Sequence, residues 1–202
     1  MGPDRSHQRH MTHRTQAIES FLDDIASETV SPAGGTGAAV TGAIGAALCE
    51  MAVIHTTNAE SEAVPEPLEK VRDAIGGSRR RLLDLAEKDA RAIEELYANP
   101  EDGSRQRSVR RATTIPLAVA ETCLNVLEET SNASEHFKPV VAQDGYVGAM
   151  ITHAALQSAL HIVEYNLGEL DDPAFREEIT ERVATITTAA ERSYERILDS
   201  YE

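Results

Sequence analysis

The chain of 202 residues carries 34 acidic against 19 basic side chains, a formal net charge of −15, with 41% hydrophobic residues, 4% aromatic ones and no Trp. That length and apolar content suffice for one medium domain with a core of Ala, Val, Ile and Leu, and they exclude a mostly disordered chain, collagen and a disulfide-stapled miniprotein. So acidic a mean field repels nucleic acid, and no DNA or RNA partner is expected.

The elements follow in chain order. Residues 1–14 are polar, with His7, His10 and His13 beside Arg5, Arg9 and Arg14. No apolar stretch follows to make a signal peptide, so they read as a disordered leader. A stray metal ion on the three histidines is the alternative. From Thr15 to Ser27, residues Ile18, Phe21, Leu22 and Ile25 recur at spacings of three and four, an amphipathic helix. The turn Ser31 to Gly37 leads into the most apolar run, Ala38 to Ile54. Glu50 interrupts that run and Gly42 and Gly45 dilute it, whereas a membrane span needs about 20 strongly apolar residues. It is expected to be a buried helix, with no membrane partner. Gly37, Thr41 and Gly45, and Gly34, Ala38, Gly42 and Ala46, fall four apart, stripes of small residues that suit a close helix neighbour.

Glu66 to Asn99 is helical, with a bend or interruption expected at Gly76-Gly77. Residues 100–103 make a turn. Ser104 to Thr130 is helical with Pro116 inside, which predicts a kink or break near Thr113. Asn132 to Val141 connects to a long apolar helix, Asp144 to Leu170. Pro173 opens the last helix, carrying Phe175, Ile179, Val183, Ile186 and Ile197. No strand alternation appears. The fold expected is all-α, an elongated antiparallel helical bundle over residues 15–202.

Only Lys70, Lys88 and Lys138 among the basic residues are lysines; the rest are arginines. Excess carboxylate with scarce Lys fits a cytosol of molar salt, where the Debye length shrinks to about 3 Å. A halophilic, cytoplasmic protein is therefore expected. Cys49 and Cys123 sit in apolar helical segments and read as buried thiols.

Three physical features meet at Gly34-Gly35-Thr36. Glycines permit φ > 0 and close approach to the main chain. A helix start offers free N–H groups. Thr36 adds a hydroxyl, as a cap or a ligand contact. No Gly-Lys-Ser/Thr follows and no strand precedes, so this is neither a P-loop nor a dinucleotide fingerprint. A plain helix entry and a binding turn both fit.

The order of several segments resembles the cyclodeaminase/cyclohydrolase family. Ser20-Phe21-Leu22-Asp23-Asp24-Ile25-Ala26 followed by Ser31-Pro32-Ala33-Gly34-Gly35-Thr36-Gly37 is similar to its opening helix and Gly-rich turn. Asp89-Ala90, Ala112 to Pro116, Asp144 to Ala149, and Val163 with Asn166-Leu167 resemble its later segments. The resemblance spans about residues 15–200. Ala33, Thr36, Gln143 and Ile162 depart from the usual Gly, Ser, Ser and Asn.

The resemblance implies a helical homodimer acting on a tetrahydrofolate derivative, with no tightly bound cofactor and no metal. It implies hydrolysis of 5,10-methenyltetrahydrofolate to 10-formyltetrahydrofolate. The alternatives are cyclisation of 5-formiminotetrahydrofolate with release of ammonia, or a non-catalytic dimer that keeps the fold. Either reaction suits carboxylates that shuttle protons next to a cationic centre. Asp144 is the first acid/base candidate and a helix cap is its alternative. Asp89 is the second, with an exposed charge beside Lys88 and Arg91 as its alternative. Gly34, Gly35 and Thr36 would bind substrate.

Asn166 lies about 33 Å along a continuous helix from Asp144 and reads as a packing or dimer contact. His153, Gln157 and His161 repeat every four residues, and the histidines, about 12 Å apart, are too distant to share a metal. Arg79 to Arg81, and Arg105, Arg107, Arg110 and Arg111, are either an ion-paired face or a site for the anionic folate tail.

Overall fold

The computed structural model describes residues 15–57, 66–98 and 105–200. The leader, the turn at 100–103 and the three N-terminal histidines lie outside those residues. Among the described residues there are six α-helices and no strand: α1 Ile18–Ile25, α2 Gly34–Thr57, α3 Glu66–Ala98, α4 Arg105–Ala133, α5 Pro139–Leu167 and α6 Pro173–Asp199. A 3-10 turn, Ser134–His136, joins α4 to α5.

Helices α2 to α5 form an up-down-up-down bundle. Contacts set the directions: Gly42 of α2 lies against Leu82 of α3 and Ala155 of α5, while Gly35 meets Asp89 and Gly34 meets Ile162. Both α3 and α5 thus run antiparallel to α2. Arg81 bonds Thr122 and Arg111 bonds Glu95, which makes α4 antiparallel to α3. Helix α6 lies on α4 and α5, held by Arg110–Asp172, Arg182–Glu121 and a ring stack of His153 on Tyr194 at 4.4 Å. The α6 start is built from local chemistry. Asp172 accepts from the Phe175 N–H at 3.1 Å, and Pro173 occupies the first turn, where its missing N–H is harmless.

The small-residue stripes do their work inside the bundle. A Cβ on Gly45 would strike Gly148 and Thr152, and one on Gly148 would strike Cys49 and the Gly45 backbone. Helices α2 and α5 therefore cross with glycine against glycine. Helix α2 is the one described helix long and apolar enough to cross a membrane, and half of its apolar window is buried within the bundle. Cys49 and Cys123 are buried, and burial pushes their thiols up to about 11 and about 12.

Two expectations are corrected, for α1 and for the connector, and at two further places an expected interruption does not occur. Helix α1 is shorter than the 15–27 pattern, and its stripe is mostly solvent-facing: Phe21 is buried, whereas Ile18, Leu22 and Ile25 are exposed. Helix α3 runs unbroken through Gly76-Gly77. The space at Gly76 admits the Glu50 carboxylate, which pairs with Arg79 at 2.6 Å. Helix α4 continues through Pro116 without a break. The proline leaves the Ala112 carbonyl without its helical donor, and Asn166 Nδ2 supplies one at 2.8 Å. The connector expected at 132–141 shrinks, because α5 begins at Pro139, a residue suited to a first turn.

Candidate functional site

The site is built at the end of the bundle where α2 begins. Helix α2 starts at Gly34, so Gly34, Gly35 and Thr36 form its first turn and not a loop. No glycine among the described residues has a positive φ, so the conformational reason for these glycines falls away. The spatial reason holds. A Cβ on Gly35 would lie 2.6 Å from Asp89 Cγ, so only a bare Cα lets the acid come this close. Thr36, fully buried, donates from Oγ1 to Asp89 Oδ2 at 2.9 Å. Ser31 Oγ donates to the Ala90 carbonyl at 3.2 Å, pinning the preceding segment to α3 beside the acid.

Asp89 is 2% exposed and is the one charged residue buried to that degree among the described residues. Burial pushes its carboxyl above the ordinary range; hydrogen bonds from the Thr36 hydroxyl and backbone N–H pull it down without cancelling that. The α2 N-terminus adds partial positive charge on the same side. A buried carboxyl with a raised pKa is suited to proton transfer. The alternative of an exposed charge is removed: Lys88 and Arg91 face solvent and Asp89 does not. A sequence signal for this existed. Asp89 falls on the apolar stripe Leu82, Leu85, Ala86, Ala92 and Leu96, at spacings that place it inward.

Gly34, next to the acid's partner, lines a cleft of about 600 Å³ between α2 and α5. Thr41, Gln157, Ser158 and His161 supply its polar groups, and Ala38 and Ile162 its apolar ones. Gln157 and His161 thus belong to this cleft. His153 does not: it stacks on Tyr194, with Nε2 3.3 Å from Glu191 Oε1 but out of line for a hydrogen bond.

Asp144 is not brought to this end. Its neighbour Gly145 packs against Ala52, sixteen residues beyond Thr36 and so about 24 Å along α2. With α5 starting at Pro139, Asp144 sits in the second turn and does not cap the helix. One chain therefore separates Asp144 from Gly34, Gly35, Thr36 and Asp89. Asn166, set apart from Asp144 by the sequence, lies one turn beyond Ile162, at the Asp89 end. Four of the clustered arginines are in ion pairs, Arg79 with Glu50, Arg105 with Glu169, Arg110 with Asp172 and Arg111 with Glu95, and Arg81 bonds the Thr122 hydroxyl. Among the described residues no three His, Cys, Asp or Glu side chains converge as a metal-binding group.

A helical bundle with a buried acid held at a glycine-rich helix start defines a class, and comparison with known proteins identifies it. The family model described as formiminotransferase-cyclodeaminase matches residues 17–185, and the chain belongs to that family. Methenyltetrahydrofolate cyclohydrolase of Methylorubrum extorquens is 30% identical over 198 residues, 92% of this chain and 95% of its own. Formimidoyltransferase-cyclodeaminase of Sus scrofa is 25% identical over 214 residues, all of this chain but 38% of its own length. The crystal structure of formiminotetrahydrofolate cyclodeaminase from Thermotoga maritima superposes with a TM-score of 0.87 at 27% identity, covering 93% of this chain and 96% of its own.

Proposed function

We propose that the chain hydrolyses 5,10-methenyltetrahydrofolate to 10-formyltetrahydrofolate, with Asp89 as the acid/base. The observation that carries the assignment of Asp89 is its burial against Thr36 and Gly35 with a raised pKa. The choice of hydrolysis is supported by the cyclohydrolase relative of similar length. The methenyl bridge is an amidinium-like cation. Water attacks its carbon and Asp89 takes one proton. The carbon–N5 bond then breaks as Asp89 returns that proton to N5. The second water proton leaves to solvent, and the oxygen stays as the formyl group on N10. Gly34, Gly35 and Thr36 border the substrate, whose entry is the α2–α5 cleft. A second reading, cyclisation of 5-formiminotetrahydrofolate with loss of ammonia, is favoured by the structural match.

The test is spectrophotometric, in concentrated salt. Accelerated loss of the methenyl chromophore is expected. Its appearance from the formimino substrate instead assigns the second reading, and silence in both overturns catalysis.

We propose that the chain acts as a homodimer. Helix α2 carries one charged residue that is not His, Glu50, and α5 carries Asp144 and Glu164 only, in a chain with 26% charged residues. Ile44 (54% exposed), Val147 and Met150 stand in solvent on these two helices, and Ile18, Leu22 and Ile25 of α1 are likewise exposed. A nearly uncharged face lets two strongly acidic chains meet without like-charge repulsion. Antiparallel docking about a two-fold axis near the level of residue 153 carries the partner's α5 start toward the Gly34 end, since 153 lies midway between 144 and 162. Asp144 then serves the neighbouring site. The acidic surface supports a salt-rich cytoplasm as the setting. Dissociation on salt withdrawal is expected, and a dimer that persists in dilute buffer counts against that setting.

A further inference from the structure

A second recess opens at the Asp89 end, between the last turn of α3, the first turns of α4 and the last turns of α5. Its volume is about 260 Å³. Leu96 and Val109 form its apolar lining, and Tyr97 and Tyr165 line it from α3 and α5. These tyrosines are 64% and 73% exposed. The whole chain has five Tyr, three Phe and no Trp, so two large rings left in water at one recess are a concentrated use of scarce aromatics. Neither hydroxyl has a hydrogen-bond partner among the described residues. Asn166 also lines the recess. Its Nδ2 is spent on the Ala112 carbonyl, and no donor among the described residues reaches its Oδ1.

A cation sits on the rim. Arg105 pairs with Glu169 at 3.0 Å, and both side chains are about half exposed (42% and 51%). A solvent-screened pair of this kind contributes little, so an incoming carboxylate can exchange with Glu169 at small cost. The recess thus presents flat apolar surfaces, an amide oxygen and an exchangeable guanidinium. Asp89 precedes Tyr97 by eight residues, about 12 Å along α3.

We propose that this recess holds the aminobenzoylglutamate half of the folate, with its ring against Tyr97 and Tyr165 and a carboxylate on Arg105. The inference rests on the folate reading above. In that substrate the aromatic ring lies between N10 and the glutamate, so the reacting carbon extends from one end of the recess and the carboxylates from the other. Tyr97 and Tyr165 are then binding residues that act through affinity and do not touch the reacting atoms.

The test uses the full chain, the variants Tyr97→Ala, Tyr165→Ala and Tyr165→Phe, and p-aminobenzoylglutamate as the calorimetric probe. Both positions are exposed, so circular dichroism and melting should be unchanged. Each Ala variant should weaken the probe about tenfold and raise KM by a similar factor. Expected kcat stays within about twofold, because uniform binding is lost. Tyr165→Phe should keep the wild-type affinity, since the ring and not the hydroxyl makes the contact. Unchanged Kd and KM in both Ala variants, or a wild-type protein that does not take up the probe, overturns the proposal. A wild type without turnover that still binds the probe in a tyrosine-dependent way sinks the catalytic reading and supports the recess. Turnover with a tyrosine-indifferent KM does the reverse.

Discussion

The carboxyl group of Asp89 occupies the space that a side chain on Gly35 would need. That exclusion ties the first turn of α2 to the C-terminal third of α3. It also separates two adjacent glycines. A Cβ on Gly34 would meet Ile162 Cδ1 at 3.6 Å, an ordinary contact. Gly35→Ala should therefore displace the acid, destabilise the fold by about 1–3 kcal/mol and abolish turnover. Gly34→Ala should be neutral or stabilise the helix by up to about 1 kcal/mol. Thermal melts of the two variants in one buffer check this, and equal melting temperatures would falsify the account of Gly35.

The raised pKa of Asp89 has a sign for stability. A carboxyl whose folded pKa exceeds its unfolded value binds its proton more tightly in the native state. Stability then falls as pH rises from the ordinary carboxylate range through the raised value, and stays reduced above it. Asp89→Asn removes the charge and retains an acceptor for the Thr36 hydroxyl. At neutral pH it should match or exceed the wild-type melting temperature, with the difference shrinking in acid. Turnover should drop by about a hundredfold or more, as expected for loss of a positioned acid/base. The wild-type kcat/KM should decline as pH drops through the Asp89 pKa, and the residual activity of the variant should lack that limb. A variant that melts lower and still turns over would make Asp89 a structural cap.

Asn166 and Pro116 make a separable pair. The proline withholds the N–H that Ala112 would receive within α4, and Asn166 replaces it from α5. Asn166→Ala should cost about 1–3 kcal/mol by orphaning a buried carbonyl. Pro116→Ala restores a backbone donor, so the double variant should recover part of that loss. Urea unfolding of the four proteins in the cycle gives the coupling. Additive losses would show that the two residues do not share this carbonyl.

The helices were legible because apolar residues recur at helical spacing over long segments, and α3 to α6 follow those patterns closely. The failures have local causes. The α1 stripe is as periodic as any other, yet periodicity reports an apolar face and not what covers it. Gly76-Gly77 suggests a bend or interruption because a sequence does not show the Glu50 carboxylate that needs the space. Lys88 and Arg91 disguised Asp89 as a surface charge, although its spacing from Leu82, Leu85 and Leu96 placed it inward. In sequence Asp144 ranks first because it opens an apolar stretch and matches the Asp of the family the chain resembles. Its distance from Gly35 depends on the register of α2 against α5, set by Gly45 on Gly148, and that register is invisible in either helix alone.

The two aspartates offer a test of how chains combine. If Asp144 serves the site of the neighbouring copy, each site holds Asp89 from one chain and Asp144 from the other. Asp89→Asn and Asp144→Asn homodimers should each keep about a hundredth of wild-type turnover or less. Unfolded together and refolded in salt, they form hybrid dimers in which one site carries both substitutions and the other carries none. About half of the dimers in an equal mixture are hybrids, each with one intact site, so about a quarter of wild-type activity should return. Ile44→Glu or Met150→Glu, placed on the uncharged face, should abolish both the dimer and the recovery. If mixing restores nothing while Asp144→Asn alone is inactive, Asp144 acts within its own chain. An active Asp144→Asn homodimer leaves Asp89 as the acid of the site.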